Sequence, residues 1–587
     1  MEDTYLRCLL HRWLACLAIV LFCQPMLAQN FERYRPLDPS RLQNAVPSVP
    51  DQPLPEQNQD DRALVGRLDA IILVDAAGKL SSDAATDELD GLHVKFDDLE
   101  SVAYSLGIQR IAERHLGKPL SLRSINVLAR DIARYYKDRG QPIVDVQIPE
   151  QRITGGTLQM VIVETRIGRV MIQPGSVFAP AELDRWIQDT YPGDKVYEDK
   201  LKTDLFWLNQ NPFRRVNVDF KPGEQAGTTD VWYTSRDVAP IRGYMGMDDT
   251  GVKSLNYGRI YAGAMYGNLF GRGGQLSYQY TTDQEFHYLE AHSVSSTLPL
   301  SRESSLMGYG SFATSSPMLS GGLSQNGQSW QAGTAWIQHL VRSSEHNLNL
   351  TAGLDFKSTN NNLEFAGSTV SASNADLVQL RFGFDDFQRQ DINQYSLLRA
   401  DLYVGPGGGM TGAHSAAAFN TIRPGASPDY VYARMIAEDT SLIGDDWMLL
   451  SRFTGQMASS RLLFSETLGL GGYDTLRGFD QRAYNGDSGW ITNFEFGPKT
   501  LRWGTDTTPH ALRPYTFMDI GNGYVLNPQP SEDSYTFAMT SGVGFRYNLS
   551  DRLTARLDWG YAWQDISNSE RSNRLHMGIT WIPGRRP

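Results

Sequence analysis

From Ile241 to Trp581 the chain keeps one rhythm. Apolar and polar residues alternate in runs of roughly 9–14 residues, and clusters of Gly, Asp, Asn and Ser break the runs. In "GGQLSYQYTT", Leu276, Tyr278 and Tyr280 share one face and Gln275, Ser277 and Gln279 the other. In "LTARLDWGYAW", Leu553, Ala555, Leu557, Trp559, Tyr561 and Trp563 oppose Thr554, Arg556 and Asp558. In "RLHMGITWI", Leu575, Met577, Ile579 and Trp581 oppose His576, Gly578 and Thr580. Successive side chains on a strand point to opposite faces, so each run presents one greasy, aromatic-rich face and one polar face. Strands of soluble sandwiches average about five or six residues. Runs this long, with charges on one side only, fit a transmembrane β-barrel with a polar lumen. The pattern predicts about 16 antiparallel strands, centred from near 244 to near 578, an even number as expected for bacterial barrels.

Composition narrows the remaining choices. Hydrophobic residues are 41% and charged residues 20%, so the chain is not disordered. Past the N-terminus no run supplies the ~20 apolar residues a membrane helix needs. The net charge of −12 argues against nucleic-acid binding. The segment "RCLLHRWLACLAIVLFCQPMLAQ" places Arg7 and Arg12 before an apolar core and small residues ending at Ala28. That is the layout of a signal peptide over 1–28. A lipoprotein reading at Cys23 meets bulky Phe22 where a small residue is wanted. All three cysteines, Cys8, Cys16 and Cys23, lie in this segment. The rest of the chain therefore offers no disulfide, thiol nucleophile or thiolate metal site, which suits a bacterial cell envelope.

Residues 29–66 are rich in Pro, Gln and Asp and read as a linker. "DPSRLQNAV" within it can form a short helix, capped by Asp38 with Pro39 in the first turn. Residues 67–165 then change character. "LDAIILVDAAGKL" reads as a strand, and a long "VDAAGKLSSDAATDELDGLHVKFDD" insertion follows. Two helical patterns come next, the second with Ile125, Leu128, Ile132 and Tyr135 on one face, Ser121 or Ser124 as cap and Gly140 as stop. The strands "IVDVQI" and "GTLQMVIVE" complete a β-α-α-β-β unit. Residues 166–237 repeat that order and end in "RRVNVDFKPG" and "GTTDVWYTS". Residues 238–587 are the barrel.

One loop stands apart. "GGYDTLRGFDQRAYNGDSGW" lies between the strands centred near 452 and 493, which makes it the sixth outer loop if the first strand leads outward. At roughly 30 residues it is long enough to be functional. It sets Arg477 inside the greasy cassette Leu476, Arg477, Gly478, Phe479. A buried arginine needs a carboxylate. In "PYTFMDIGNGY", Met518 and Ile520 suit lipid, which turns Asp519 inward beside Phe517. In "GWITNFEFGP" the same argument turns Asn493 and Glu495 inward. From the residues alone, the preferred reading is a surface arginine paired locally with Asp474 or Asp480. No catalytic or metal-ligand constellation appears. His287, His346 and His576 lack motif partners, "GYGSFATSS" has no following helix, and "GPGGG" at 405–409 lacks the Lys-Ser/Thr of a phosphate loop. The reading is a non-enzyme without cofactor or metal.

These features together resemble the TpsB transporters of two-partner secretion, within the BamA-type outer-membrane superfamily, whose α+β periplasmic repeats are called POTRA domains. "QIPEQRITGGTLQMVIVETRIGRV" is similar to the passage closing the first POTRA domain, and "LNQNPFRRVNV" to one in the second. "YAGAMYGNLFGRGGQLSYQYTTD" resembles the family's early barrel hairpin, "LRGF" its loop motif, and "YTFMDIGNGYV" its F-x-D-x-G strand, with Gly521 as the last motif position. The likeness covers about 67–582. It departs at the C-terminus, where Trp581 is followed by "IPGRRP", and in the weakly written plug helix over 38–46.

The resemblance implies a bacterial outer-membrane transporter with its POTRA domains in the periplasm. It implies that the loop folds into the lumen and that Arg477 pairs with Asp519, with Glu495 as second choice. The expected partner is one large secreted exoprotein (an adhesin, haemolysin or haem-acquisition protein). The transporter is expected to be a monomer assembled by the outer-membrane barrel assembly machinery. An unfolded client could add a strand to an open POTRA sheet edge, beside Val144 and Val146 or beside Arg215 and Val216. Two other readings remain: an insertase for outer-membrane proteins, and a passive porin or surface receptor.

Overall fold

The computed structural model describes residues 35–37, 48–50, 60–81, 89–153, 155–318, 323–365, 368–391, 393–505, 508–566 and 573–583. The expected signal peptide, the short helix read over 38–46 and residues 584–587 lie outside these. The chain divides into two units: residues 43–238, and residues 239–586 together with 1–42.

The first unit holds two main sheets. One has the order Gly91–Lys95, Ala70–Val74, Thr157–Glu164, Val144–Gln147. Its strand Ala70–Val74 is buried throughout, as a run of Ala, Ile, Ile, Leu and Val should be. Helices Leu106–Glu113 and Leu122–Asp138 belong to the same unit. Ser121 caps the second helix: its hydroxyl accepts from the Ser124 amide at 3.2 Å, and Ser124 Oγ accepts from the Ser121 amide at 2.8 Å. Gly140 ends it with φ 79°, a conformation open to glycine. Two expectations change here. The core position on this helix is Tyr136, fully buried, while Tyr135 is only half-buried. The expected insertion ends in a strand, Gly91–Lys95, parallel to Ala70–Val74.

The other sheet has the order Arg166–Gln173, Thr228–Asp237, Arg214–Pro222. The first helix expected in this repeat is short, Pro180–Asp184. Buried Asp204 explains the stop. It takes the amides of Gln188 and Asp189 at 3.0 and 3.2 Å, so they cannot continue a helix. Lys195 ties the two repeats together, reaching Glu164 at 2.5 Å and Asp98 at 2.6 Å. Burial opposes its charge, but hydrogen bonds to both carboxylates hold the ammonium above its usual range.

The second unit is a closed antiparallel barrel. Its strands are β1 (Ile241–Asp248), β2 (Arg259–Leu269), β3 (Gly274–Asp283), β4 (Leu289–Pro299), β5 (Ser304–Ser315) and β6 (Leu323–Arg342). The next are β7 (His346–Phe365), β8 (Ser368–Asp391), β9 (Gln394–Pro406), β10 (Asp429–Ile443) and β11 (Trp447–Ala458). Strand β12 is interrupted, Ser488–Pro498 continuing as Leu501–Thr505; both pieces pair with β13 (Thr508–Tyr524). Then come β14 (Tyr535–Leu549), β15 (Leu553–Ala562) and β16 (Asn573–Trp581). This gives sixteen strands, with every expected centre inside one of them. The barrel closes through four β1–β16 pairs, from Met245 opposite Trp581 to Asp248 opposite Gly578.

Alternation decides the two faces. Leu557, Trp559, Leu575, Met577, Ile579 and Trp581 are exposed on the outside, whereas Asp558 and His576 are buried inside. Met518 is exposed and its neighbour Asp519 is fully buried. An apolar belt outside and buried polar groups inside are what a membrane-spanning barrel requires.

Candidate functional site

Residues 459–487 connect β11 to β12 and carry the LRGF cassette. A short hairpin, Leu468–Leu470 paired with Tyr484–Gly486, stiffens the segment. Leu476 and Phe479 are fully buried in a cluster with Leu468, Leu470, Tyr484, Ile491, Ala538 and Ala562. Ile491, Ala538 and Ala562 belong to β12, β14 and β15, so the cassette packs on barrel strands. The greasy flanks thus hold the loop on the wall.

Arg477 is 2% exposed. Its Nε donates to Asp519 Oδ2 at 3.0 Å and its Nη2 to Asp519 Oδ1 at 2.6 Å. Its own amide donates to the same Oδ2 at 3.0 Å. Its Nη1 reaches Glu495 Oε1 at 2.7 Å. The guanidinium lies over the Phe517 ring, 3.7 Å from the centroid. The structure therefore brings Arg477, Asp519, Glu495 and Phe517 together, and Asp474 and Asp480 are not its partners. Asp480 instead takes Arg574 at 2.8 Å and the Tyr257 hydroxyl at 3.2 Å.

Three glycines act through proximity. A Cβ on Gly478 would come within 2.7 Å of the Ala562 nitrogen and 2.8 Å of Thr540 Cγ2. Gly560 on β15 offers the matching gap, since a Cβ there would lie 2.3 Å from the Arg477 carbonyl oxygen. Gly521 permits close pairing too: its Cβ would sit 2.9 Å from the Trp490 carbonyl oxygen.

Several partners escaped the sequence reading. Asn493 donates to Asp519 at 2.8 Å and to the Thr475 carbonyl at 2.6 Å. Thr540 donates to Asp519 Oδ2 at 3.0 Å. Arg513 reaches Glu495 at 2.6 Å, and Arg546 reaches Asp558 at 2.7 Å. Asn493 and Asp558 already stood on the polar faces read from the sequence, and Arg513 shares its parity with Asp519; Thr540 and Arg546 lie on β14, where the sequence reading named no inward residue.

The inner wall is asymmetric. Pairing registers put Gln275 to Thr281, Ala291 to Thr297, Ser305 to Ser315 and Gly327 to Ile337, at every second residue, on one face of β3–β6. Among the described residues those positions are uncharged, mostly Ser, Thr, Gln, Gly and Ala. The inner face of β7–β15 instead carries Asp355, Lys357, Arg381, Asp401, Arg434, Glu438, Arg452, Glu495, Arg513, Asp519, Arg546 and Asp558.

In the first unit, the strands Val144–Gln147 and Arg214–Pro222 are edges of their sheets. Val144, Val146 and Val216 point into the core, and Arg215 is exposed. The candidate contact of the three valines thus reduces to their backbone edge, because the sheet parity that exposes Arg215 buries Val216.

Fold and loop define a class: an outer-membrane β-barrel with an arginine-anchored loop folded against its inner wall. The chain belongs to the ShlB/FhaC/HecB family of haemolysin secretion/activation proteins, whose model matches residues 227–547, more than half of the chain. The ShlB-type POTRA domain matches residues 92–165. The POTRA domains of this family lie in the periplasm. The heme/hemopexin transporter protein HuxB of Haemophilus influenzae is 22% identical over 170 residues, 29% of this chain and 30% of that protein. The outer membrane transporter CdiB of Dickeya dadantii is 26% identical over 164 residues, 27% of this chain and 28% of that protein. The matched stretch thus spans less than a third of these relatives' length. In fold, the chain is similar to CdiB from Escherichia coli, with TM-score 0.59 and 15% identity over 97% of this chain and 98% of that one. BamA from Haemophilus ducreyi lacking POTRA domains 1–3 gives TM-score 0.55 and 12% identity, over 83% and 98% respectively.

Proposed function

We propose that this protein exports one large, unfolded exoprotein across the outer membrane, the client entering from the periplasm and folding outside. The observation that carries the reading is the LRGF loop seated on the inner wall by Arg477 in a member of a secretion family. Residues 67–165 and 166–237 serve as two POTRA domains that capture the client, and 238–587 as the conduit. Capture uses main-chain hydrogen bonds at the open edges Val144–Gln147 and Arg214–Pro222, which place little demand on sequence. The wall of β3–β6, uncharged from Gln275 to Thr281 and along the paired stretches of β4–β6 with Asp283 only at the end of β3, offers a sliding chain few ionic traps, while the loop stays tied to the charged wall. The transporter acts as a monomer, is inserted by the outer-membrane assembly machinery, uses no cofactor and performs no catalysis. Movement draws on folding of the client outside.

The insertase reading rests only on the fold similarity to BamA. Deleting the gene separates the two. Loss of a single large exoprotein from the medium, with the outer-membrane proteome unchanged, supports export. A general fall in outer-membrane proteins supports insertion and contradicts it.

A further inference from the structure

The loop has a second buried charge. Glu466 is 2% exposed and lies where the chain leaves β11 for the hairpin. Lys357, inward on β7, donates to both of its carboxylate oxygens, at 2.7 and 3.0 Å. Tyr432 on β10 donates to Oε2 at 2.7 Å and Gln379 on β8 at 3.2 Å. The main-chain carbonyl of Glu466 is also held, by Gln456 on β11 at 2.9 Å and Arg434 on β10 at 3.3 Å. Without the Lys357 ammonium, this carboxylate would share Gln379 with Asp355 as two like charges.

We infer that Glu466 is a second positioning residue for the lumen loop, with the polarity of the first reversed. At Arg477 the loop brings the cation and the wall the carboxylates; at Glu466 the loop brings the carboxylate and the wall the cation. The two anchors lie on neighbouring arcs, β7–β11 and β12–β15. A single ion pair leaves a pivot. Two, joined by the Leu468–Leu470/Tyr484–Gly486 hairpin, fix the loop's orientation as well as its place. The Lys357 side chain is 14% exposed against 2% for Arg477, so the Glu466 anchor is the more accessible to water. This inference rests on the export reading only for its consequence, not for its geometry.

The test uses the full chain in nanodiscs, with nitroxide labels at Asp474 on the loop and Glu285 in the β3–β4 turn. The wild type should give one narrow distance distribution. Glu466→Gln and Lys357→Met should each broaden it, and Lys357→Arg should keep it narrow. Unchanged narrow distributions in both neutral variants overturn the inference. Should Glu466→Gln fail to insert, the exchange Lys357→Glu with Glu466→Lys decides: a narrow distribution supports the anchor and a broad one overturns it. Export is scored separately. A loop that shifts in these variants while exoprotein release stays at the wild-type level leaves the anchor standing and contradicts the export reading.

Discussion

Arg477 and Asp519 are joined by three hydrogen bonds, two from the guanidinium and one from the arginine's own amide. Both residues are essentially out of water, Asp519 fully and Arg477 to 2%. The contact therefore fixes the loop backbone and its charge at one point. Removing one member of such a pair costs roughly 3–5 kcal/mol, because the other is left buried and uncompensated.

Arg477→Lys should fail almost as fully as Arg477→Ala. A lysine keeps the charge but lacks the planar fork that spans both Asp519 oxygens while reaching Glu495. The check is exoprotein in the medium, normalised to folded barrel by heat-modifiable gel mobility. Wild-type release by the lysine variant would reduce the site to simple charge pairing.

Gly478→Ala and Gly560→Ala should dislodge the loop without touching any charge. Each added Cβ meets atoms under 3.0 Å away, on β14 and β15 for the first and on the loop backbone for the second. Overpacking of this kind costs about 1–3 kcal/mol. Lowered urea midpoints for the purified barrel would register it, and unaltered midpoints would mean the loop can back away freely.

The sixteen strands were legible because lipid outside and water inside force period-2 alternation, and the same parity turned Asp519 and Glu495 inward. What alternation cannot do is place a loop. By itself it left Asp474 and Asp480 as rivals for Arg477, and only the resemblance pointed to Asp519. Glu466 was invisible for the same reason, since its partners Lys357, Gln379 and Tyr432 are far away in sequence. The strand Gly91–Lys95 was missed because five residues with His and Lys carry no clear period. The helix after Pro180 was overread because the Asp204 side chain competes for amides 15 and 16 positions upstream.

Asp487 should prove essential to the outer loops. It is fully buried, receives Arg423 at 2.5 Å, and accepts the amides of Leu462 at 3.0 Å and Leu526 at 2.8 Å. It thereby knits the β9–β10, β11–β12 and β13–β14 connections. Asp487→Ala strands Arg423, so trypsin added to intact cells should cleave these connections faster while strands survive. Unaltered cleavage would show that the hydrophobic contacts there suffice.

In the periplasmic repeats, Val144→Ala, Val146→Ala and Val216→Ala should lower stability by roughly 1–3 kcal/mol each, since all three side chains are in the core. Client contact should instead be seen by photo-crosslinkers at Asp145 and Arg215, the exposed neighbours on the two edge strands. Crosslinks to the exoprotein at neither position would move capture away from these edges.

The central claim is that export depends on the loop being held inside the barrel by one coupled pair. Exoprotein release from cells carrying Arg477→Ala, Asp519→Ala or both tests it most directly. Each single variant should lose most release, and the double variant should be no worse than the weaker single. Losses that multiply in the double variant, or wild-type release by either single, would contradict it.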